Sequence, residues 1–169
     1  MVKYYNTEVV FEEIPTEISL AINITNCQNR CPGCHSPYLQ NNVGTELTNY
    51  ELDNLIKASP GITCVVFMGE GNDIQTIEEL SGMVQHKYKL KTALYSGREY
   101  NQIEGHVWNS FDYVKVGPYK KEFGPLNDPN TNQRLYRMIK VKWLGANTAV
   151  KEDITHKFWK WNDKTIEDY

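Results

Sequence analysis

The stretch Ile62-Thr63-Cys64-Val65-Val66-Phe67-Met68-Gly69-Glu70-Gly71 carries an apolar run over 62–68 that glycine brings to an end. A run of that length, lacking the in-out alternation of a half-exposed strand, suits a parallel strand buried on both faces. Cys64 within it reads as a small buried hydrophobe. Before it, Ile18, Leu20, Ile22 and Ile24 alternate with Ser19, Ala21, Asn23 and Thr25, so 18–25 reads as a strand, preceded by another at 8–13. Thr48-Asn49-Tyr50-Glu51 is a capping-box pattern, and Leu52, Leu55 and Ile56 follow at helical spacing until Pro60-Gly61. After the run, a helix opens near Asp73 with Ile74, Ile77, Leu80 and Val84. A strand at 90–95, a helix carrying Tyr100, Ile103 and Val107, and a strand at 111–116 complete the pattern. Strands alternating with helices predict βαβ units and a mostly parallel sheet.

The chain has 169 residues, whereas a closed eightfold barrel needs roughly 200 or more. The fold expected is therefore α/β, an incomplete (β/α) barrel in one domain spanning 1–169. Residues 117–134 are long for a structureless connection and read as a lid or binding loop. Leu135, Arg137, Ile139, Val141 and Trp143 then alternate with Tyr136, Met138, Lys140 and Lys142 as a half-exposed strand. The tail from Lys151, with Ile154, Phe158, Trp159 and Trp161, is expected to pack on its own domain.

Eighteen Lys and Arg stand against 21 Asp and Glu, so there is no basic footprint for nucleic acid. No stretch approaches the roughly 18 apolar residues of a membrane span, and the first residues lack an apolar core. The expected partners include neither nucleic acid nor membrane, and the expected compartment is the cytoplasm. In that reducing setting four cysteines read as metal ligands or buried thiols before they read as disulfides.

Three of the four lie within Cys27-Gln28-Asn29-Arg30-Cys31-Pro32-Gly33-Cys34-His35. Thiolates held close together repel unless a soft cation neutralises them, so Cys27, Cys31 and Cys34 are candidate metal ligands. Zinc in a closed site wants four ligands, and His35 adjoins Cys34 too directly to be an easy fourth. A cubane cluster would keep one iron open. Zinc and cluster both remain at this point.

The spacing C-x3-C-x2-C resembles the cluster loop of the radical S-adenosylmethionine enzymes, and Cys-Pro-Gly-Cys-His-Ser-Pro resembles their anaerobic ribonucleotide reductase activating proteins. Phe67-Met68-Gly69-Glu70, Leu94-Tyr95-Ser96-Gly97, Val116-Gly117-Pro118-Tyr119 and Asn132-Gln133-Arg134 are similar to family segments in the same order. The likeness covers roughly 8–143 and implies a 4Fe-4S cluster on Cys27, Cys31 and Cys34 with S-adenosylmethionine on the open iron. It further implies reductive cleavage to a 5′-deoxyadenosyl radical, and a glycyl radical installed on the large subunit of anaerobic ribonucleotide reductase with electrons from a low-potential donor. Gly69 and Glu70 match the segment that contacts the methionine ammonium in the family, although Met68 stands where a glycine is common. Ser96 and Gly97 resemble the segment bordering the ribose and carboxylate, and His35 stands where relatives carry an aromatic near the adenine. The other readings are a radical S-adenosylmethionine enzyme acting on a small molecule, and a zinc-binding adaptor without catalysis.

Without the resemblance, one regularity still stands. Cys27, Gly69 with Glu70, Ser96 with Gly97, and Gly117 each follow the end of a successive strand. That is the edge where α/β folds place their ligands.

Overall fold

The computed structural model describes residues 1–143 and 146–159. The apolar run becomes β4 (Cys64–Met68), with Cys64, Val65, Val66 and Phe67 buried. It lies between β2 (Ser19–Ile24) and β5 (Lys91–Tyr95), parallel to both, and β6 (Tyr113–Val116) adds a fourth parallel strand beside β5. The register sets Ile22, Phe67 and Leu94 side by side. Successive residues of a strand face opposite sides, so each strand feeds two cores. One face packs Ile22, Phe67, Leu94 and Val114 with Leu52 and Ile56 of α1 (Asn49–Lys57), Ile77 and Leu80 of α2 (Ile74–Met83), and Trp108 of α3 (Gly105–Ser110). The other packs Cys64, Val66, Ala93 and Tyr113 with Ile14, Leu135 and Ile154.

The expectation of an incomplete (β/α) barrel of the radical S-adenosylmethionine type, with a mostly parallel sheet, is overturned. The strands form one open eight-stranded mixed sheet in the order β3-β1-β2-β4-β5-β6-β7-β8, with only three α-helices among the described residues. Three pairings are parallel, and four are antiparallel: β1 (Lys3–Val10) with β2 and with β3 (Thr45–Glu46), then β6 with β7 (Arg134–Trp143), and β7 with β8 (Ala146–Asp153). The cause lies in the connections. A parallel return needs a crossover of a dozen or more residues, usually helical, and residues 11–18 between β1 and β2 are too few. Residues 117–134 are long enough but hold no helix, so β7 comes back beside β6 in the opposite direction. No barrel forms, and the alternation of parallel strand and helix is confined to the central four strands.

Local sequence signals hold where the side-chain chemistry behind them is local. Thr48 caps α1, its side chain accepting from the Glu51 amide at 3.1 Å, and Asp73 caps α2 through the Thr76 amide at 3.1 Å. The first strand covers Lys3–Val10 rather than 8–13. The helix expected through Tyr100, Ile103 and Val107 is split into a 3-10 turn over Tyr100–Gln102 and the short α3. In the tail, Phe158 packs on the second core and the Trp159 indole N–H donates to the Leu126 carbonyl at 3.3 Å. Trp161 lies outside the described residues. Among the described residues no helix is long and apolar enough to cross a membrane.

Candidate functional site

Because β2, β4, β5 and β6 run in parallel, the segments that follow them emerge along one rim. A cleft of about 250 Å³ opens there, lined by Cys27, Asn29, Gly69, Glu70, Gly97 and Arg98 together with the approach to α2. Gly69 and Gly71 turn the chain off β4 with φ of 121° and 59°, conformations that suit glycine. At Gly97 the requirement is space, since a Cβ would stand 2.0 Å from the Asn29 side-chain nitrogen. Asn29 therefore lies directly over Gly97, and the cysteine loop forms one wall of the cleft.

The cysteine loop is clasped at its base by the Asn26 amide donating to Asn41 and the Cys27 amide donating to Leu39, both at 3.0 Å. Asn26 and Arg30 adopt left-handed backbone, with φ of 61° and 45°. Cys34 donates its amide to the Cys31 carbonyl at 3.2 Å, and its sulfur accepts from the Ser36 amide at 3.4 Å. All three thiols are free and half-buried, but only Cys27 lines the cleft.

The 4Fe-4S cluster expected on Cys27, Cys31 and Cys34 does not fit this arrangement. Among the described residues no three His, Cys, Asp or Glu side chains are grouped so that they could hold a metal ion. S-adenosylmethionine, expected on the open iron of that cluster, loses its anchor with it, and a zinc site on the same thiols fails on the same ground. Crowded thiolates call for a neighbouring positive charge, and the fold offers one other than a soft cation. Lys115, only 7% exposed, faces the loop closely enough for Cys31 and Cys27 to favour its charge. Its ammonium donates to the carbonyls of Gly117 at 2.7 Å and Ser96 at 3.2 Å. Burial nevertheless dominates and pushes its pKa down to about 8.

Glu70 does stand in the cleft, but not free. The Arg98 Nε meets it at 2.9 Å, while Arg98 Nη1 donates to Glu104 at 2.8 Å and to the Gln102 carbonyl at 2.9 Å. Burial works against the guanidinium charge, but Glu104 and Glu70 outweigh it and hold the Arg98 pKa above its ordinary value. The remaining Arg98 nitrogen, Nη2, is buried without a partner among the described residues. Carboxylate and guanidinium together equip the cleft for a polar ligand carrying both signs of charge.

The other candidates lie beside the cleft. Ser96 is buried, its hydroxyl accepting from the Arg98 amide at 3.0 Å, so it shapes the Ser96–Arg98 turn. His35 is exposed and stacks on Tyr119 with ring centres 4.6 Å apart, joining the cysteine loop to the 117–134 loop. Asn132 and Gln133 donate to the carbonyls of Pro118 and Gly117 at 3.0 and 3.4 Å, fastening the two ends of that loop. Arg98 and Lys115 were not singled out from sequence. The available signals were an arginine directly after a strand-ending Ser-Gly, and a lysine inside the apolar strand Tyr113-Val114-Lys115-Val116. No family model, curated protein or solved structure matches the chain.

Proposed function

We propose that this chain is an activating protein for another polypeptide, the large subunit of anaerobic ribonucleotide reductase: a glycine of that subunit gives its Cα hydrogen atom to a carbon-centred radical brought to the cleft, whose new C–H bond replaces the one broken, and the subunit is left with a glycyl radical. The cysteine-bound cluster is no part of the proposal. The observation that carries it is the convergence of sequence segments far apart in the chain. Cys27-Gln28-Asn29, Gly69-Glu70 and Gly97 all resemble that activating family, and all line one cleft at the ends of adjacent parallel strands. The cleft is open to one side of an unclosed sheet, which suits a loop of a second protein better than a small molecule that must be enclosed. Exposed aromatics near the rim, Tyr38 on the cysteine-loop side and Phe123 in the 117–134 loop, offer apolar contact for such a loop.

The test is co-expression with the reductase large subunit in anoxic cells that lack an activating protein of their own, followed by whole-cell electron paramagnetic resonance. A glycyl doublet is expected only when the chain is present. Folded chain and folded reductase giving no doublet, or a doublet of equal size without the chain, would refute the proposal.

A further inference from the structure

The short segment Arg98–Glu104 is held from two sides. On the cleft side, Arg98 grips Glu70 at 2.9 Å and returns to its own segment through the Gln102 carbonyl and Glu104. The Glu99 amide also donates to the Gln102 side chain at 2.9 Å, which makes the turn a closed unit. On the far side, Tyr100 joins Trp108 of α3 and Tyr136 of β7 in a three-ring cluster with centres 5.2 to 5.5 Å apart. Into this cluster β8 inserts Lys151. Its ammonium lies 4.3 Å from the Trp108 ring centre and 4.9 Å from that of Tyr100, and donates to the Tyr100 hydroxyl at 3.2 Å.

The β7–β8 hairpin needs such an anchor. β6 pairs with β7 only over Arg134–Arg137, whereas β7 and β8 pair from Tyr136 with Asp153 out to Trp143 with Ala146. The Met138 amide still donates to the Asp112 carbonyl at 2.8 Å, and beyond it the two strands form a two-stranded arm, with Ile139, Val141 and Val150 exposed along it. A two-stranded ribbon has little stability of its own, and a cation against an aromatic face is a contact that can be made or released as a unit.

We infer that the cleft and the β7–β8 arm are coupled: the Arg98–Glu70 ion pair holds the Arg98–Glu104 segment in the position where Tyr100 completes the aromatic seat for Lys151. Any ligand that takes Glu70 from Arg98 then loosens the arm, and a partner that draws the arm away changes the cleft. This coupling goes beyond the proposed function and does not depend on which partner the chain serves. Its physical content is a segment with two anchored ends, each biased by a different contact.

Amide hydrogen exchange under native conditions reads it directly, using residues 139–141 and 149–150 of the arm and Val65–Phe67 of β4 as the internal reference for global unfolding. Lys151→Met is expected to raise arm exchange relative to β4 by about fivefold or more, whereas Lys151→Arg, which keeps a cation over the rings, stays near the unsubstituted protein. Glu70→Gln, remote from the arm in sequence, is expected to raise arm exchange in the same direction. In the Lys151→Met background it should add nothing further, since the link is already cut. Arm exchange unchanged in Glu70→Gln overturns the coupling, as do additive effects of the two substitutions. If Lys151→Arg and Lys151→Met behave alike, the cation is not the anchor and the inference fails.

Discussion

Replacing Glu17 tests how the lower end of the sheet is held together, opposite the cleft. Its side chain is 4% exposed and accepts from three residues: Thr63 Oγ1 at 2.6 Å, Tyr113 OH at 2.8 Å, and Lys91 Nζ. Thr63 directly precedes β4, Lys91 opens β5 and Tyr113 opens β6, so one carboxylate ties the segment between β1 and β2 to three neighbouring strands. The Lys91 side chain is 54% exposed, so its ion pair contributes about 1 kcal/mol or less. The two hydroxyl bonds to a charged acceptor are each on the order of 1.5 to 3 kcal/mol. Glu17→Ala also leaves the buried Tyr113 hydroxyl without an acceptor, and the expected loss is about 3 to 5 kcal/mol, a large share of a domain's ~5 to 15 kcal/mol. Glu17→Gln keeps an acceptor oxygen and should lose about half as much. Burial raises the Glu17 pKa, but the bonds from Lys91, Thr63 and Tyr113 prevail and hold it below the ordinary value. Its contribution is therefore fully present above the unfolded value of about 4.3 and is lost as pH falls through the lower folded value. Urea unfolding followed by tryptophan fluorescence, repeated across the acid limb, is the assay. A Glu17→Ala loss under about 1 kcal/mol, or an acid limb for Glu17→Gln as steep as that of the unsubstituted protein, would refute the reasoning.

Gly97→Ala puts a methyl group against the far end of the Asn29 side chain, so stability should change by less than about 1 kcal/mol while the cysteine loop shifts. Amide chemical shifts of Cys27–Asn29 should move, and changes confined to residues 96–98 would show that Asn29 does not rest on this glycine. For Lys115, a folded pKa of about 8 below an unfolded value of about 10.4 means the unfolded chain binds more protons between the two. This residue's contribution to stability should therefore rise with pH across that window. The melting temperature of the unsubstituted protein minus that of Lys115→Met should rise from pH 8 to about 10, and a flat difference would contradict the burial of its charge.

Much of the central fold was legible because its causes are local. The apolar run at 62–68, the caps Thr48 and Asp73, and the helical spacing of Ile77 and Leu80 each act within a few residues, and β4, α1 and α2 lie close to where those signals place them. The alignment of Cys27, Gly69 with Glu70, and Gly97 at strand ends was legible for a related reason, since parallel neighbours deliver their C-terminal ends to one edge. β8 was not read as a strand, because Ala146–Asp153 shows no clear alternation and its partner is the adjacent β7.

Sequence by itself determined the parallel four-stranded centre, the helices between its strands and the edge at which the special residues collect, all of which follow from patterns of period 2 and 3.6 and from glycine at turns. Only the tertiary structure decided the direction of β1, β7 and β8, because strand direction depends on where a loop lands and the composition of 117–134 does not encode its path. It also decided the character of the site. Three cysteines close in sequence suggested a ligand set, but ligation needs side chains converging on a point. The loop instead presents Cys27 to the cleft while Lys115 supplies the neighbouring positive charge and Arg98 occupies Glu70. Spacing along a chain limits which side chains can meet, and the packing of the loop against β6 and the Ser96–Arg98 turn selects which of them do.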